Sequence, residues 1–183
     1  MRIIITSDHA GYELGKQLYQ YLRSQKYDVI DAGPYAQDEQ DDYPDFVAPV
    51  AHEVSQDPDL TRAIVIGGSG QGEAIMANRF PRVRAVVFNG QYAASGREIP
   101  DEIKISRTHN DANILSLGAR FVNFEEAKKA VDVWLKTPFL AEPRHVRRIQ
   151  KIEDLAPTSV EKDSEGKPIE PDEDCKNETV HNF

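Results

Sequence analysis

Short apolar runs alternate along the chain with segments whose apolar residues recur at helical spacing. The runs are typical of buried parallel strands, and they are RIIIT (2–6), YDVID (27–31), AIVIGG (63–68), RAVVF (84–88) and a fifth within ILSLGARFV (114–122). Helical faces are predicted by Leu14, Leu18, Tyr21 and Leu22, by Phe46, Val47, Val50, Ala51 and Val54, by AIMANRF (74–80), by Ala127, Val131, Trp134 and Leu135, and by RHVRRIQKIEDL (144–155). The alternation predicts an α/β fold in which helices cover both faces of a five-stranded parallel sheet.

Polar clusters lie at the ends of several predicted strands. SDHAG follows the first strand, GGSGQGE follows the third, and RTHNDAN lies near the fourth and fifth. Ligands of parallel sheets bind beyond the carboxyl ends of the strands. The three clusters therefore predict one shared site.

Composition and charge narrow the function classes. The chain has 183 residues and a net charge of −9, and residues 158–183 alone carry eight acidic residues against three lysines. We therefore predict one domain over 1–155 and an acidic, disordered tail over 156–183. An acidic chain disfavours nucleic-acid binding, and the lone Cys175 excludes an intrachain disulfide and a cysteine-based zinc site. Neither a membrane-spanning run nor a signal-peptide pattern is present, which predicts a cytoplasmic protein without membrane contact.

The glycine-rich loop after the third strand has two interpretations. Its glycines suit a tight turn, and successive backbone N–H groups at a helix start also bind negative charge. The spacing is neither that of a Walker loop nor that of a dinucleotide fingerprint. Glu73, at the start of the following helix, either complements the helix dipole or acts as a general base.

The remaining polar residues also have structural and functional interpretations. Asp8 either caps the next helix or, with His9, moves protons. His109 and Asn110 lie in a polar turn that also suits a site. Arg144 and Arg148 are four residues apart on one helical face, which suits either solvation or a phosphate clamp.

Five motifs in order give the chain a specific resemblance. They are SDHAG, DYPDF, GGSGQGEAIMANR, RTHNDANILSLGAR and RHVRRI, and the resemblance covers roughly residues 1–155. Together they resemble the type B ribose-5-phosphate isomerases and the wider family that includes galactose-6-phosphate isomerase subunits. The resemblance implies a Rossmann-like three-layer subunit that forms homodimers or homotetramers with active sites shared across the dimer interface. It also implies aldose–ketose isomerisation of a sugar phosphate without metal or organic cofactor.

The resemblance also implies residue roles. Some family members place a cysteine where this chain has Gly67, whereas others have glycine there and a glutamate that matches Glu73. Glu73 would then move a proton between C1 and C2 while the loop holds the enediolate. Further implied roles are oxyanion binding by Ser69, Gly68, Gly70 and Gly72, ring opening by His109 and Asp8, sugar contact by Tyr43 and Asn110, and phosphate binding by Arg144, Arg148, Arg120, His9 and His145.

The sequence alone does not decide between three assignments of substrate and function. Ribose 5-phosphate is the predicted substrate, a six-carbon sugar phosphate such as allose or galactose 6-phosphate is the near alternative, and a non-catalytic sugar-phosphate-binding module is the rival from another class. Residues 96–107 are longer than the connection usual in the family, which predicts a cover for the site or an extended dimer interface.

Overall fold

A computed structural model describes residues 1–91 and 101–156 of the chain. Its strands are β1 (Arg2–Ser7), β2 (Val29–Asp31), β3 (Thr61–Gly67), β4 (Ala85–Phe88) and β5 (Ile114–Gly118). Its helices are α1 (Tyr12–Ser24), α2 (Tyr43–Gln56), α3 (Gln71–Ala77), α4 (Glu102–Thr108), α5 (Phe124–Lys136) and α6 (Pro143–Leu155). The predicted tail from residue 157 onward and residues 96–100 of the predicted insertion lie outside the described residues.

All strand pairs are parallel, in the order β2-β1-β3-β5-β4. The chain leaves β1 toward β2 on one side and returns to β3 on the other. The carboxyl ends of β1 and β3 therefore flank the point where the strand order reverses, and ligands of such sheets bind in that crevice. The predicted five-stranded parallel sheet is confirmed.

Alternate residues of each strand enter separate cores on the two faces of the sheet. Ile3, Ile5, Ile64 and Ile66 pack with α1, α4 and α5. Ile4, Ala63 and Val65 pack with α2 and α3 on the other face. Because both faces of β1 and β3 are covered by helices, nearly every residue of these strands has to be apolar. The predicted three-layer arrangement is confirmed.

Helix α4 overlaps residues 96–107, the segment that the sequence suggested was an insertion, and the apolar pattern did not predict this helix. The Asp101 side chain accepts a hydrogen bond of 3.0 Å from the Lys104 N–H and so caps the helix. Ile103 is buried against the α1 and α5 face of the core. The described part of the insertion is therefore part of the helical layer. A single buried apolar residue among charged ones is too weak a pattern to indicate a helix.

Helix α6 is held more loosely than the others. His145 is its one buried residue, whereas Val146 and Ile152 are 46% and 54% exposed. An apolar stripe that stays exposed on a helix is typical of a surface that another molecule covers.

No helix in the described ranges combines the length and the apolar character that crossing a membrane requires.

Candidate active site

An open cavity of about 380 Å³ lies at the carboxyl ends of the central strands. Eight residues predicted for the site line it, and they are Asp8, His9, Tyr43, Gly68, Ser69, Gly72, Glu73 and Arg120. Ala10 and Phe121 complete the lining. The cavity occupies the crevice where the strand order reverses, which is the expected place for a ligand.

The glycine loop fits both of its interpretations, at different residues. Gly70 has a φ of +73°, which only glycine adopts without strain, and its carbonyl accepts a 2.6 Å hydrogen bond from Ser116. Gly70 does not line the cavity, so the structural evidence assigns it to the turn. Gly68, Ser69 and Gly72 do line it, and the N–H of Gly72 has no acceptor among the described residues.

Glu73 is buried beside the cavity, with only 4% of its surface exposed. A Cβ atom built on Gly67 would lie 1.6 Å from Glu73 Oε1, so the carboxylate occupies the space above that glycine. Burial raises the pKa of Glu73, its own backbone N–H opposes the shift, and the charge of Asp8 adds to it. A buried carboxyl with a raised pKa that reaches a cavity is suited to proton transfer.

Asp8 does not cap α1, whose N-cap is Gly11 and which has no side-chain capping bond. Its Oδ1 accepts a 2.9 Å hydrogen bond from the Gly11 N–H in the turn before the helix. The same side chain is buried and lines the cavity. The bond to Gly11 therefore fixes the position of Asp8 beside the cavity.

His9 is paired with a carboxylate that the sequence did not indicate. Asp41 Oδ1 lies 2.6 Å from His9 Nδ1 and 3.1 Å from the His9 backbone nitrogen. The hydrogen bond to Asp41 raises the pKa of His9, burial opposes it, Asp8 adds to it and Arg120 lowers it. Asp41 lies in an aspartate-rich loop without periodicity, so no pattern distinguishes it from its neighbours.

Arg120 and Tyr43 form further walls of the cavity. A Cβ atom on Gly68 would lie 3.1 Å from Arg120 Cζ, so the guanidinium lies over the glycine loop. The Tyr43 ring lies closer still to Gly72, where an added Cβ would be 2.7 Å from Cζ. Glycine at position 72 thus makes room for the tyrosine ring, and glycine at position 68 lets the guanidinium lie close over the loop.

Besides Gly70, five residues predicted for the site lie outside this cavity in the single chain. They are His109, Asn110, Arg144, His145 and Arg148. The rings of His109 and His145 stack on each other with centroids 4.3 Å apart. Burial and the neighbouring His109 and Arg144 lower the pKa of His145, and its Nε2 has no hydrogen-bond partner among the described residues.

The other three are Asn110, which follows His109 in sequence, and Arg144 and Arg148, which share helix α6 with His145. Asn110 lines a second cavity of about 200 Å³ together with Val86 and Val87 of the edge strand β4. Arg144 and Arg148 are exposed on α6, and Arg144 Nε donates a 2.8 Å bond to Glu142. Their roles in substrate binding stay predictions.

Asp111 is a second residue that sequence reasoning missed. Its two carboxylate oxygens each lie 2.8 Å from an arginine, one from Arg84 and one from the buried Arg107. Asp111 has a φ of +47°. These ion pairs fix the turn that carries His109 and Asn110.

One group in the described part of the chain has ligand atoms close enough to hold a metal ion. Asp8, His9 and Asp41 each offer an atom within 4.8 Å of the others. His9 and Asp41 are hydrogen-bonded to each other, and Asp8 accepts a hydrogen bond from Gly11, so each group already has a partner other than a metal. The group therefore gives no specific indication of a metal.

Comparison with known proteins identifies the family. The family model described as Ribose/Galactose Isomerase matches residues 3–152. The chain belongs to this family. Ribose-5-phosphate isomerase B of Mycolicibacterium paratuberculosis is 38% identical over 149 residues, which cover 81% of this chain and 87% of that protein. The Escherichia coli protein of the same name is 35% identical over 151 residues, covering 82% and 93%.

Solved structures of ribose/galactose isomerase family members share the fold. Ribose-5-phosphate isomerase B from Mycoplasma genitalium, solved with bound ribulose-5-phosphate, has a TM-score of 0.76 and 37% identity over 84% of this chain and 94% of that one. The Clostridium thermocellum enzyme has a TM-score of 0.74 and 42% identity over 85% and 97%. The resemblance drawn from the five motifs is confirmed.

Proposed function

We propose that this protein interconverts ribose 5-phosphate and ribulose 5-phosphate by proton transfer through an enediolate. The observation that carries the proposal is the buried Glu73 carboxylate, which lies against Gly67 at the mouth of a cavity lined by the glycine loop. Relatives over most of the chain are named ribose-5-phosphate isomerase B, and one was solved with ribulose-5-phosphate bound.

The cavity offers the groups that this reaction needs. Isomerisation removes a proton next to a carbonyl and leaves negative charge on oxygen. Glu73 takes the proton from one carbon and returns it to the neighbouring carbon. Ser69 and the loop amides bind the developing oxyanion, and each well-placed donor of this kind is worth about 3 kcal/mol. Asp8 is the acid–base group of this chain for ring opening, with His109 as its partner.

The same proposal includes a shared active site in a homodimer or homotetramer. His109, Asn110, Arg144 and Arg148 lie outside the cavity of their own chain, while α6 exposes an apolar stripe. A second copy that covers this stripe brings its arginines to the phosphate end of the cavity. Two-fold symmetry then completes both sites at once.

The substrate is tested with a panel of sugar phosphates. Chelator-treated protein is given ribose 5-phosphate, allose 6-phosphate and galactose 6-phosphate, and ketose formation is measured. We expect ribulose 5-phosphate from the first substrate at the highest kcat/KM. Ketose from a six-carbon substrate alone would replace the proposed substrate. Binding without product would favour the binding module, and loss of turnover with chelator would contradict metal-free proton transfer.

Complementation tests the shared site. Chains carrying Glu73→Gln and Arg148→Ala are co-expressed with different tags, and the mixed dimer is isolated by both tags. If each cavity takes arginine from the other chain, one site of the mixed dimer is intact and the other carries both changes. We expect about half of the wild-type activity per dimer at low substrate, although each parent dimer is nearly inactive. A mixed dimer as inactive as its parents would contradict sharing.

Domain extent and location complete the proposal. Residues 1–155 form the isomerase domain, supported by a family match that ends at residue 152 and by α6, which ends at Leu155. A chain truncated after Leu155 should keep its kcat and its melting temperature.

A cytoplasmic location belongs to the same proposal, and fractionation of cells that express the tagged chain tests it.

A further inference from the structure

The Asp41 carboxylate makes its hydrogen bonds with His9. Its side chain is 8% exposed, and Oδ1 is the acceptor for both the ring nitrogen Nδ1 and the backbone N–H of His9. The other oxygen, Oδ2, is buried without a hydrogen-bond partner in the described part of the chain. A buried carboxylate with so few donors is costly unless a positive charge lies beside it.

The surroundings of the two ring nitrogens determine which protonation state of His9 can donate a hydrogen bond from both of them. The 2.6 Å distance to Asp41 requires a proton on Nδ1. A neutral imidazole has only one N–H, so its Nε2 would then present a lone pair to the cavity. Only the doubly protonated ring donates to Asp41 and also offers an N–H to a ligand.

The charged groups around His9 favour that cation in the empty chain. Asp41 and Asp8 are the acids that face it, and Arg120 is the base that opposes them. The net effect raises the pKa of His9. The His9 side chain remains 28% exposed and lines the cavity next to Arg120.

We propose that Asp41 is a positioning residue that keeps the His9 ring doubly protonated and turned into the cavity, ready for the phosphate contact that the family resemblance implies for His9. This inference rests on the proposed function for the identity of the substrate, but its central contact is a property of the unliganded chain. A charged donor to phosphate forms a stronger bond than a neutral one. Asp41 acts through His9 and does not itself touch the substrate.

Asp41→Asn is the test variant, and Asp42→Asn is its matched control. The asparagine oxygen still accepts a bond from Nδ1–H, so the ring keeps its orientation while the negative charge is lost. Asp42 is the next residue along the chain, it is exposed, and its side chain makes no capping bond to α2. A change seen in both variants would be a general effect of charge.

NMR titration of the imidazole nitrogens measures the first effect without any turnover. The His9 signals are assigned by their loss in His9→Gln. We expect both wild-type ring nitrogens to be protonated at pH 7, and the pKa of His9 to fall toward its ordinary value in Asp41→Asn only. A neutral wild-type ring at pH 7, or an unchanged pKa in Asp41→Asn, would overturn the proposal. The wild-type measurement stands even if the variant does not fold.

Binding of inorganic phosphate measures the second effect, again without turnover. At a pH between the His9 pKa values measured for Asp41→Asn and for wild type, we expect the Kd of Asp41→Asn to rise about fivefold over wild type, because the charged donor has been replaced by a lone pair. At pH 5.5 the variant ring is protonated as well, so the two Kd values should converge. Titration of phosphate itself cancels in the ratio of variant to wild type. A loss that is equal at both pH values would indicate a merely structural role and would overturn the proposal.

The kinetic arm separates this inference from the proposed function. With ribose 5-phosphate at that same intermediate pH, we expect KM to rise about fivefold in Asp41→Asn while kcat stays within about twofold. A fall in kcat at unchanged KM would contradict a role in phosphate binding. If no sugar phosphate is turned over, the proposed function fails. The NMR titration and the phosphate-binding measurement still test whether Asp41 keeps His9 protonated.

Discussion

We expect Glu73→Gln to lower kcat for ribose 5-phosphate more than a hundredfold while changing substrate binding little. The amide has nearly the shape of the carboxyl group but cannot accept the proton. Loss of about 3 kcal/mol of transition-state stabilisation corresponds to a fall of more than a hundredfold. Initial rates of ketose formation give kcat, and calorimetric titration with a sugar phosphate gives the Kd. A variant that keeps one tenth of the wild-type kcat would remove Glu73 from the mechanism.

Thermal unfolding of the same variant distinguishes lost chemistry from a damaged fold. Burial raises the pKa of Glu73 in the folded chain, so ionisation of this carboxyl opposes folding. The penalty is fully present above the folded-state pKa and disappears below the unfolded-state pKa of about 4.3. Glu73→Gln should therefore melt at a higher temperature than wild type at pH 7.5, and the difference should vanish near pH 4. A lower melting temperature at pH 7.5 would show that Glu73 stabilises the fold instead.

The layered fold was predictable because both faces of its central strands are buried. Continuous runs such as AIVIGG need no alternation to indicate a strand when helices cover each side. The boundaries were less predictable. Strand β2 is confined to Val29–Asp31, and α3 begins at Gln71, before its first apolar residue. Those ends depend on sheet pairing and on the turn at Gly70, which apolar spacing does not report.

The candidate site was predictable only as far as its residues follow strand ends. Asp8, Ser69 and Glu73 lie in the cavity because β1 and β3 end there. Asp41 lies far from any strand end, and only the tertiary fold brings it to His9. The burial of Glu73 was equally unpredictable from the sequence, because a glutamate at the start of a helix is usually solvated.

Replacing Gly67 with Ala should abolish most activity while leaving the fold intact. The added Cβ would lie 1.6 Å from Glu73 Oε1 and 2.2 Å from Cδ, so the carboxylate must move by more than 1 Å. Only the flexible end of one side chain has to shift, which costs the fold little. A displacement of about 1 Å in a catalytic group lowers the rate about a hundredfold. We therefore expect kcat to fall about a hundredfold, with the melting temperature within about 4 °C of wild type.

A double variant shows whether the loss acts through Glu73. If Gly67→Ala works by displacing the carboxylate, adding it to Glu73→Gln should lower kcat little further, because the same group is already lost. Multiplicative losses would mean that Gly67 acts by another route. Gly33→Ala is the matched control, since its added Cβ would come no closer than 3.3 Å to any neighbour, and its kinetics should be unchanged.

The same clash bears on the two arrangements implied within the family. A side chain at position 67 and the carboxylate of Glu73 compete for one volume beside the glycine loop. A chain with cysteine at this position therefore has no room for a glutamate in this rotamer, and a chain with the glutamate requires glycine. Gly67→Cys alone should be as inactive as Gly67→Ala. In the Gly67→Cys, Glu73→Ala double variant the thiol has that volume to itself, and we expect kcat to rise at least tenfold above that of Gly67→Cys, measured at pH 8 so that more of the thiol is ionised. A double variant no more active than Gly67→Cys would mean that relief of the clash does not make the thiol a competent base.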